Sequence, residues 1–276
     1  MEALIQAEHI THSFGDKRII DDISFVVEKG EVIGLLGPSG AGKTTLVNIL
    51  TGQLRPSGGS VRVCSGGKGL ETGIMMDSFG LYERLSVWEN LCIFADIYQV
   101  SEERINALLD RTGLGEARNT RVSRLSKGMR GRVNLCRALL KEADILYLDE
   151  PTSGLDPATT WKIHQMIEEE SQSGTTVFLT THNMHEAEEL CDRVMLLNEG
   201  KIVEQGTPED IRTRYNILNE IEVTLKDGEK QMIRNTKESE GILAEWMRAE
   251  RIVTIHSSEP DLEKVFLSIT GRRLGE

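Results

Sequence analysis

The chain has 276 residues and a formal net charge of −12, with 44 acidic residues against 32 basic ones. That length buries a full core without staples and suits one large α/β domain with a small appendage. The acidic balance argues against nucleic acid as a partner, because phosphate-backbone binding needs a basic footprint. Cys64, Cys92, Cys136 and Cys191 are widely separated and read as small core residues of a reducing compartment, not as a disulfide frame. Met1–Ile5 lacks the basic start and apolar run of a secretory signal, and no uninterrupted apolar stretch approaches a membrane span. The expectation is a cytoplasmic protein.

In chain order, residues 1 to about 77 alternate strand signals with turns at Gly15-Asp16 and Glu28-Lys29-Gly30. Within them the apolar run Val32–Leu36 leads into Gly37, Pro38, Ser39, Gly40, Ala41, Gly42, Lys43, Thr44 and Thr45, and a second apolar run, Leu46–Leu50, follows. Strand, glycine loop and helix in that order are what a phosphate-binding loop requires. Glycines let successive N–H groups face one anion, and the helix N-terminus adds its positive end. Lys43 then meets the outer phosphates and the Thr44 hydroxyl meets Mg²⁺. The chain is expected to bind a nucleoside triphosphate.

From about 78 to 140 the pattern becomes helical. Ser86-Val87-Trp88-Glu89 reads as a capping box opening a helix through about Tyr98, and Ser101 opens another that Gly113 stops. From Asp144 to about Arg214 strands and helices alternate again, which implies a mostly parallel sheet. The apolar strand Ile145–Leu148 ends in Asp149-Glu150. Two carboxylates at that place suit a site that holds Mg²⁺ with the first and orients or deprotonates water with the second, so hydrolysis is the expected reaction. A third apolar strand, Thr176–Thr181, delivers His182, where α/β sites form. The spacing of His182, His185, Glu186 and Glu189 permits a metal set, but no distant ligand cluster accompanies it, and zinc is not expected. His9, His12, His164 and His256 carry no motif and read as surface or structural.

Beyond Tyr215 the pattern is a small α+β appendage. Ile221, Val223 and Leu225 alternate before the Asp227-Gly228 turn, a second strand passes Met232 and Ile233, and helical stretches near 242–247 and 261–267 flank a strand near 251–255.

Leu125-Ser126-Lys127-Gly128-Met129, Ser153-Gly154-Leu155-Asp156 and His182, in this order with the phosphate loop and the acidic strand, resemble the signature loop, D-loop and switch histidine of the ATP-binding cassette (ABC) ATPases. The resemblance covers about residues 1 to 215. It implies a RecA-like P-loop core with an antiparallel β subdomain, a helical insertion over about 78–140, and the appendage at 216–276. It also implies ATP and Mg²⁺ as cofactors. Phe14 resembles the aromatic residue that stacks on adenine. Ser126 and the backbone near Gly128 would cap the γ-phosphate held by a second copy of the cassette, in a head-to-tail dimer. Glu150 and His182, with Lys43, would carry the hydrolysis.

The chain departs from the family pattern in two places. Lys127 and Met129 replace residues of the usual L-S-G-G-Q signature and resemble an exporter branch, with Ser126 and Gly128 kept. Asp77 stands where a metal-contacting glutamine is usual; a carboxylate still suits Mg²⁺, so Thr44, Asp149 and Asp77 form the expected metal set. The ending Leu262-Glu263-Lys264-Val265-Phe266-Leu267 resembles cassettes of drug and lipid exporters whose permease is a separate polypeptide. An ATP-hydrolysing exporter subunit follows, peripheral on the inner face of the membrane and touching its permease through the surface Phe79–Leu85. The competing expectation is a regulatory cassette that switches a soluble protein.

Overall fold

The computed structural model describes residues 2–64, 69–76, 80–216, 219–257 and 259–271. Strands β1 (Ala3–Phe14) and β2 (Lys17–Glu28) turn at Gly15-Asp16, and β3 (Val32–Leu36), α1 (Lys43–Leu50), β4 (Gly58–Val63) and β5 (Thr72–Met75) follow. The insertion supplies α2 (Val87–Tyr98), α3 (Glu102–Arg111) and α4 (Lys127–Ala138). The second half alternates β6 (Ile145–Asp149), α5 (Pro157–Gln172), β7 (Thr176–Thr181), α6 (Met184–Leu190), β8 (Arg193–Asn198), β9 (Lys201–Gly206) and α7 (Pro208–Arg214). Last come β10 (Glu220–Leu225), β11 (Lys230–Arg234), α8 (Glu240–Arg248), β12 (Ile252–Ser257) and α9 (Leu262–Thr270).

Among the described residues three sheets form. A six-stranded sheet has the order β5-β6-β7-β3-β8-β9; its neighbours are parallel except for the antiparallel edge pair β8 and β9. An antiparallel sheet β2-β1-β4 and a second one, β11-β10-β12, complete the set.

The central strands β3, β6 and β7 are buried at every position because both faces of their sheet are covered. Val32 and Leu36 of β3 join one hydrophobic cluster, Ile33 and Leu35 the other. In β6, Leu146 and Leu148 face the first while Ile145 and Tyr147 face the second; in β8, Val194 and Leu196 alternate in the same way with Met195 and Leu197. The two-residue period of a strand thus splits each strand's side chains between two cores. The second cluster takes β1, β2 and α1, and the first takes the insertion helices with α5, α6 and α9.

The insertion forms as its local signals require. Ser86 accepts from the Glu89 N–H at 3.2 Å while Glu89 Oε2 accepts from the Ser86 N–H at 2.7 Å, a complete capping box that fixes the start of α2. Instead of following the signature segment, α4 begins inside it. Ser126 is the N-cap, its Oγ accepting from the Met129 N–H at 3.2 Å, so the segment that reads as a loop is the first turn of a helix.

After residue 215 the chain divides its contacts. Strands β10–β12 form their own sheet, with β12 exposed at every position after Ile252. Helix α9, capped by Asp261, buries Leu262, Val265 and Phe266 in the first cluster beside α6 and α7. Glu188 Oε1 of α6 accepts from the Leu262 N–H at 2.8 Å.

Candidate nucleotide site

Three adjacent strands bring the site together. In the order β6-β7-β3, Asp149 pairs with Thr180 and Thr181 pairs with Leu36. The loop 37–42, the acidic pair and His182 therefore leave neighbouring carboxyl ends of one parallel sheet, the edge where α/β folds place ligands.

The glycine loop is shaped by close packing. A side chain on Gly37 would collide with the Leu197 carbonyl oxygen of β8, and Gly42 has φ 111° with Ile20 Cδ1 only 2.8 Å from where a Cβ would stand. Only glycine satisfies both positions. The loop closes through an Ala41 N–H bond to the Pro38 carbonyl at 3.2 Å, and the Gly42 carbonyl accepts the first helical bond, from Leu46, at 2.9 Å. Ser39 and Gly40 are exposed at its crest, and Thr45 is half-buried.

Lys43 is 8% exposed. Its ammonium donates to the Gly37 carbonyl at 2.6 Å and lies 3.6 Å from Glu150 Oε1. Burial holds Lys43 below its ordinary value, while the charges of Glu150 and Asp149 work against that shift.

Asp149 is 6% exposed. Its carboxylate accepts from Thr44 Oγ1 at 3.1 Å and from the Thr180 hydroxyl. A buried carboxylate costs several kcal/mol, and two hydroxyl donors return only about 1.5–3 kcal/mol each. The Thr44 hydroxyl and the Asp149 carboxylate are hard oxygen donors, and the charge is only partly compensated by the chain. That set fits Mg²⁺, which binds one or two protein oxygens and otherwise water and phosphate oxygens. Asp77, the third expected ligand, lies outside the described residues, as does Phe79.

Glu150 stands in the left-handed backbone region at φ 52° and is held there by its N–H bond to the Thr180 carbonyl at 2.9 Å. Such a conformation costs on the order of 1 kcal/mol for a residue with a side chain. It lets one carboxylate serve two partners: Oε1 faces Lys43, and Oε2 meets His182 Nδ1 at 2.6 Å. His182 is exposed, so its other nitrogen is available to a ligand.

Phe14 is 56% exposed and belongs to neither core; its ring meets His12 edge-on at 4.7 Å. Ser126 is exposed, and Gly128 packs under the segment after Glu150: a side chain there would come within 2.9 Å of Leu155 Cδ2 and 3.1 Å of the Gly154 carbonyl. Asp156 is the N-cap of α5, accepting from the Thr159 N–H at 3.0 Å. No group of three or more metal-binding side chains occurs among the described residues; His185 instead pairs with Glu189 at 3.3 Å. Two members of this region carry no signal in the sequence. Thr180 reaches Asp149 only through strand register, and His164 proves to be buried between Glu186 and Glu189.

A glycine loop entering a helix, an acidic pair two strands away and a histidine on the strand between them define a P-loop nucleoside triphosphatase. The family model described as ABC transporter matches residues 20–153. A fluoroquinolones export ATP-binding protein of Mycobacterium tuberculosis is 37% identical, over 91% of this chain and 87% of that one. A Nod factor export ATP-binding protein of Bradyrhizobium diazoefficiens is 34% identical over 96% and 95%. A linearmycin resistance ATP-binding protein of Bacillus subtilis is 30% identical over 98% and 99%. Among solved structures, an ATP-binding subunit of an ABC transporter matches with a TM-score of 0.70 at 28% identity, covering 78% of this chain and 94% of its own. The chain belongs to the ABC transporter ATP-binding family and is an ABC ATPase. Among the described residues, no helix is long and apolar enough to cross a membrane.

Proposed function

We propose that the chain is the ATP-hydrolysing subunit of an exporter, working as a head-to-tail pair on a separate membrane permease at the inner membrane face. The observation that carries this reading is the end-to-end likeness, appendage included, to proteins named for export or resistance, over 91%, 96% and 98% of the chain. Residues 1–215 are read as the ATPase unit, 78–140 as its helical part and 216–276 as the appendage.

At the nucleotide, the loop from Gly37 to Thr45 cradles the phosphates, Lys43 bears on the outermost one and Phe14 stacks on the base. Thr44 and Asp149 would hold Mg²⁺, with Asp77 as a third oxygen ligand. The ion, when bound, neutralises charge developing on the phosphate oxygens. Glu150 takes the proton of the attacking water, and the bond from His182 keeps that carboxylate oriented. Lys43 steadies the charge on the transferring phosphate. Ser126 and the backbone at Gly128 complete the site of the second copy.

The test is purification of the tagged full chain from detergent-solubilised cells. Recovery with an integral membrane protein that stimulates its ATP hydrolysis is the expected result. Recovery with a soluble protein alone would overturn the export reading in favour of a regulatory switch.

A further inference from the structure

A buried charged cluster joins α5, α6 and the loop that follows Glu150. Glu186, on α6, is 1% exposed. Its Oε1 accepts from Thr152 Oγ1 at 2.6 Å and lies 3.3 Å from His164 Nε2 of α5. The other ring nitrogen of His164 is 3.2 Å from Glu189 Oε2. With a carboxylate at each nitrogen, the ring bonds both as the doubly protonated cation. Glu186 Oε2 is buried with no hydrogen-bond partner. A carboxylate this buried costs several kcal/mol more than an apolar residue of similar size, so plain packing gives no reason for it.

The position of the cluster supplies one. Thr152 lies two residues beyond Glu150, in a segment fixed by two successive turns, the Ser153 N–H to the Glu150 carbonyl at 3.1 Å and the Leu155 N–H to the Thr152 carbonyl at 3.1 Å. The far end of that segment, Gly154 and Leu155, covers Gly128 of the signature helix. Glu186 lies four residues beyond His182, in a helix whose N-cap Asn183 accepts from the His185 and Glu186 N–H groups at 3.1 and 3.4 Å. The Thr152–Glu186 bond therefore ties the loop carrying Glu150 to the helix carrying His182, directly behind the Glu150–His182 pair.

We propose that Glu186, held by His164 and acting through Thr152, is a positioning residue for ATP hydrolysis: it locks the separation of Glu150 and His182 and the placement of Gly154-Leu155 against the signature helix. This rests on the roles given above to Glu150 and His182, and not on the export reading.

The test uses the full chain carrying Thr152→Val, which keeps the side chain's shape and removes the hydroxyl, beside Thr152→Ser, which keeps the hydroxyl. Losing one hydrogen bond to a charged group corresponds to about a ten- to hundredfold change. Thr152→Val is expected to lower kcat by about that factor with KM for ATP within about twofold, while Thr152→Ser retains kcat within about twofold. Glu186→Gln, of equal size, is expected to repeat the kcat loss without a KM change. Wild-type kcat in Thr152→Val and Glu186→Gln overturns the proposal. So does a kcat loss that tracks a lowered Tm and vanishes on assay at lower temperature, since a merely structural bond behaves so. Glu150→Gln run alongside separates the two claims: full activity in it removes the underlying roles, whereas its inactivity beside a normal Thr152→Val removes the positioning proposal alone.

Discussion

The phosphate loop and the signature segment are both short, glycine-bearing entries to helices, yet they are finished differently. In the loop 37–44 the polar side chains close on partners of their own chain, Lys43 on Gly37 and Glu150, and Thr44 on Asp149. In 125–129 the inward-facing members are structural: Leu125 is buried in the core and the half-buried Gly128 lies under Leu155, while Ser126 and Lys127 are exposed. The first arrangement gathers a buried ammonium, a hydroxyl and two carboxylates within one chain. The second offers a hydroxyl already at a helix N-terminus to something outside the chain, which is why the proposed function needs a second copy.

The largest effect is expected inside the first region. Glu150→Gln removes the charge that faces Lys43 and His182 while leaving Lys43, Thr44 and Asp149 in place, so kcat should fall by about 10²–10³ with ATP affinity retained. Steady-state hydrolysis beside equilibrium ATP binding measures it, and undiminished turnover would remove Glu150 from the chemistry. Next comes the contrast itself. Lys43→Ala should weaken nucleotide binding in each chain about tenfold or more, because burial makes its charge hard to replace with solvent. Ser126→Arg should leave binding to the single chain nearly unchanged but block pairing. Mixing the two inactive variants should restore part of the activity, since one composite site of each mixed pair carries neither change. Failure to recover, with mixed pairs shown to form, would mean that the signature segment does not act across copies.

The smallest effect concerns stability. The hydrogen bond that the ring donates to Glu186, with the charges of Glu186 and Glu189, holds the His164 imidazole above its ordinary value despite burial. The groups around it are those two carboxylates of α6, the Thr152 hydroxyl, and His185 beyond Glu189. A raised folded-state value stabilises the protein fully below the unfolded histidine value, and that contribution is lost as pH rises through the folded one. Urea midpoints should therefore fall as pH rises above the ordinary histidine value of about 6.5, and His164→Gln should flatten that slope. An unchanged slope in the variant would assign the pH dependence to other groups.

Much of this was legible in the sequence, wherever the signal is local. The glycine loop, the acidic pair after a buried strand and the capping box of Ser86 and Glu89 all depend on residues a few positions apart, and each forms the element its spacing predicts. What escaped depends on register or on distant backbone. Thr180 meets Asp149 only because β6 and β7 pair in one particular alignment, and the need for Gly37 is set by a carbonyl at Leu197. His164 has no motif because its partners lie on another helix. The start of α4 inside the signature segment is a different kind of miss: Ser126 is a good N-cap by type, but its glycine neighbour reads as a loop.

The two hydrophobic clusters also set an order of assembly during synthesis. Every buried member of the cluster around β1, β2 and α1 lies between Leu4 and Leu197, whereas the other cluster is closed by Leu262, Val265 and Phe266. At ribosomal speeds of about 5–20 residues per second, the roughly seventy residues separating Leu197 from Phe266 take several seconds to appear. During that interval the phosphate-loop side of the sheet can already be packed while the α6 side still shows an apolar trough to the cell. The nascent chain thus has a defined window in which a chaperone, or its own β10–β12 strands, could occupy the place reserved for α9.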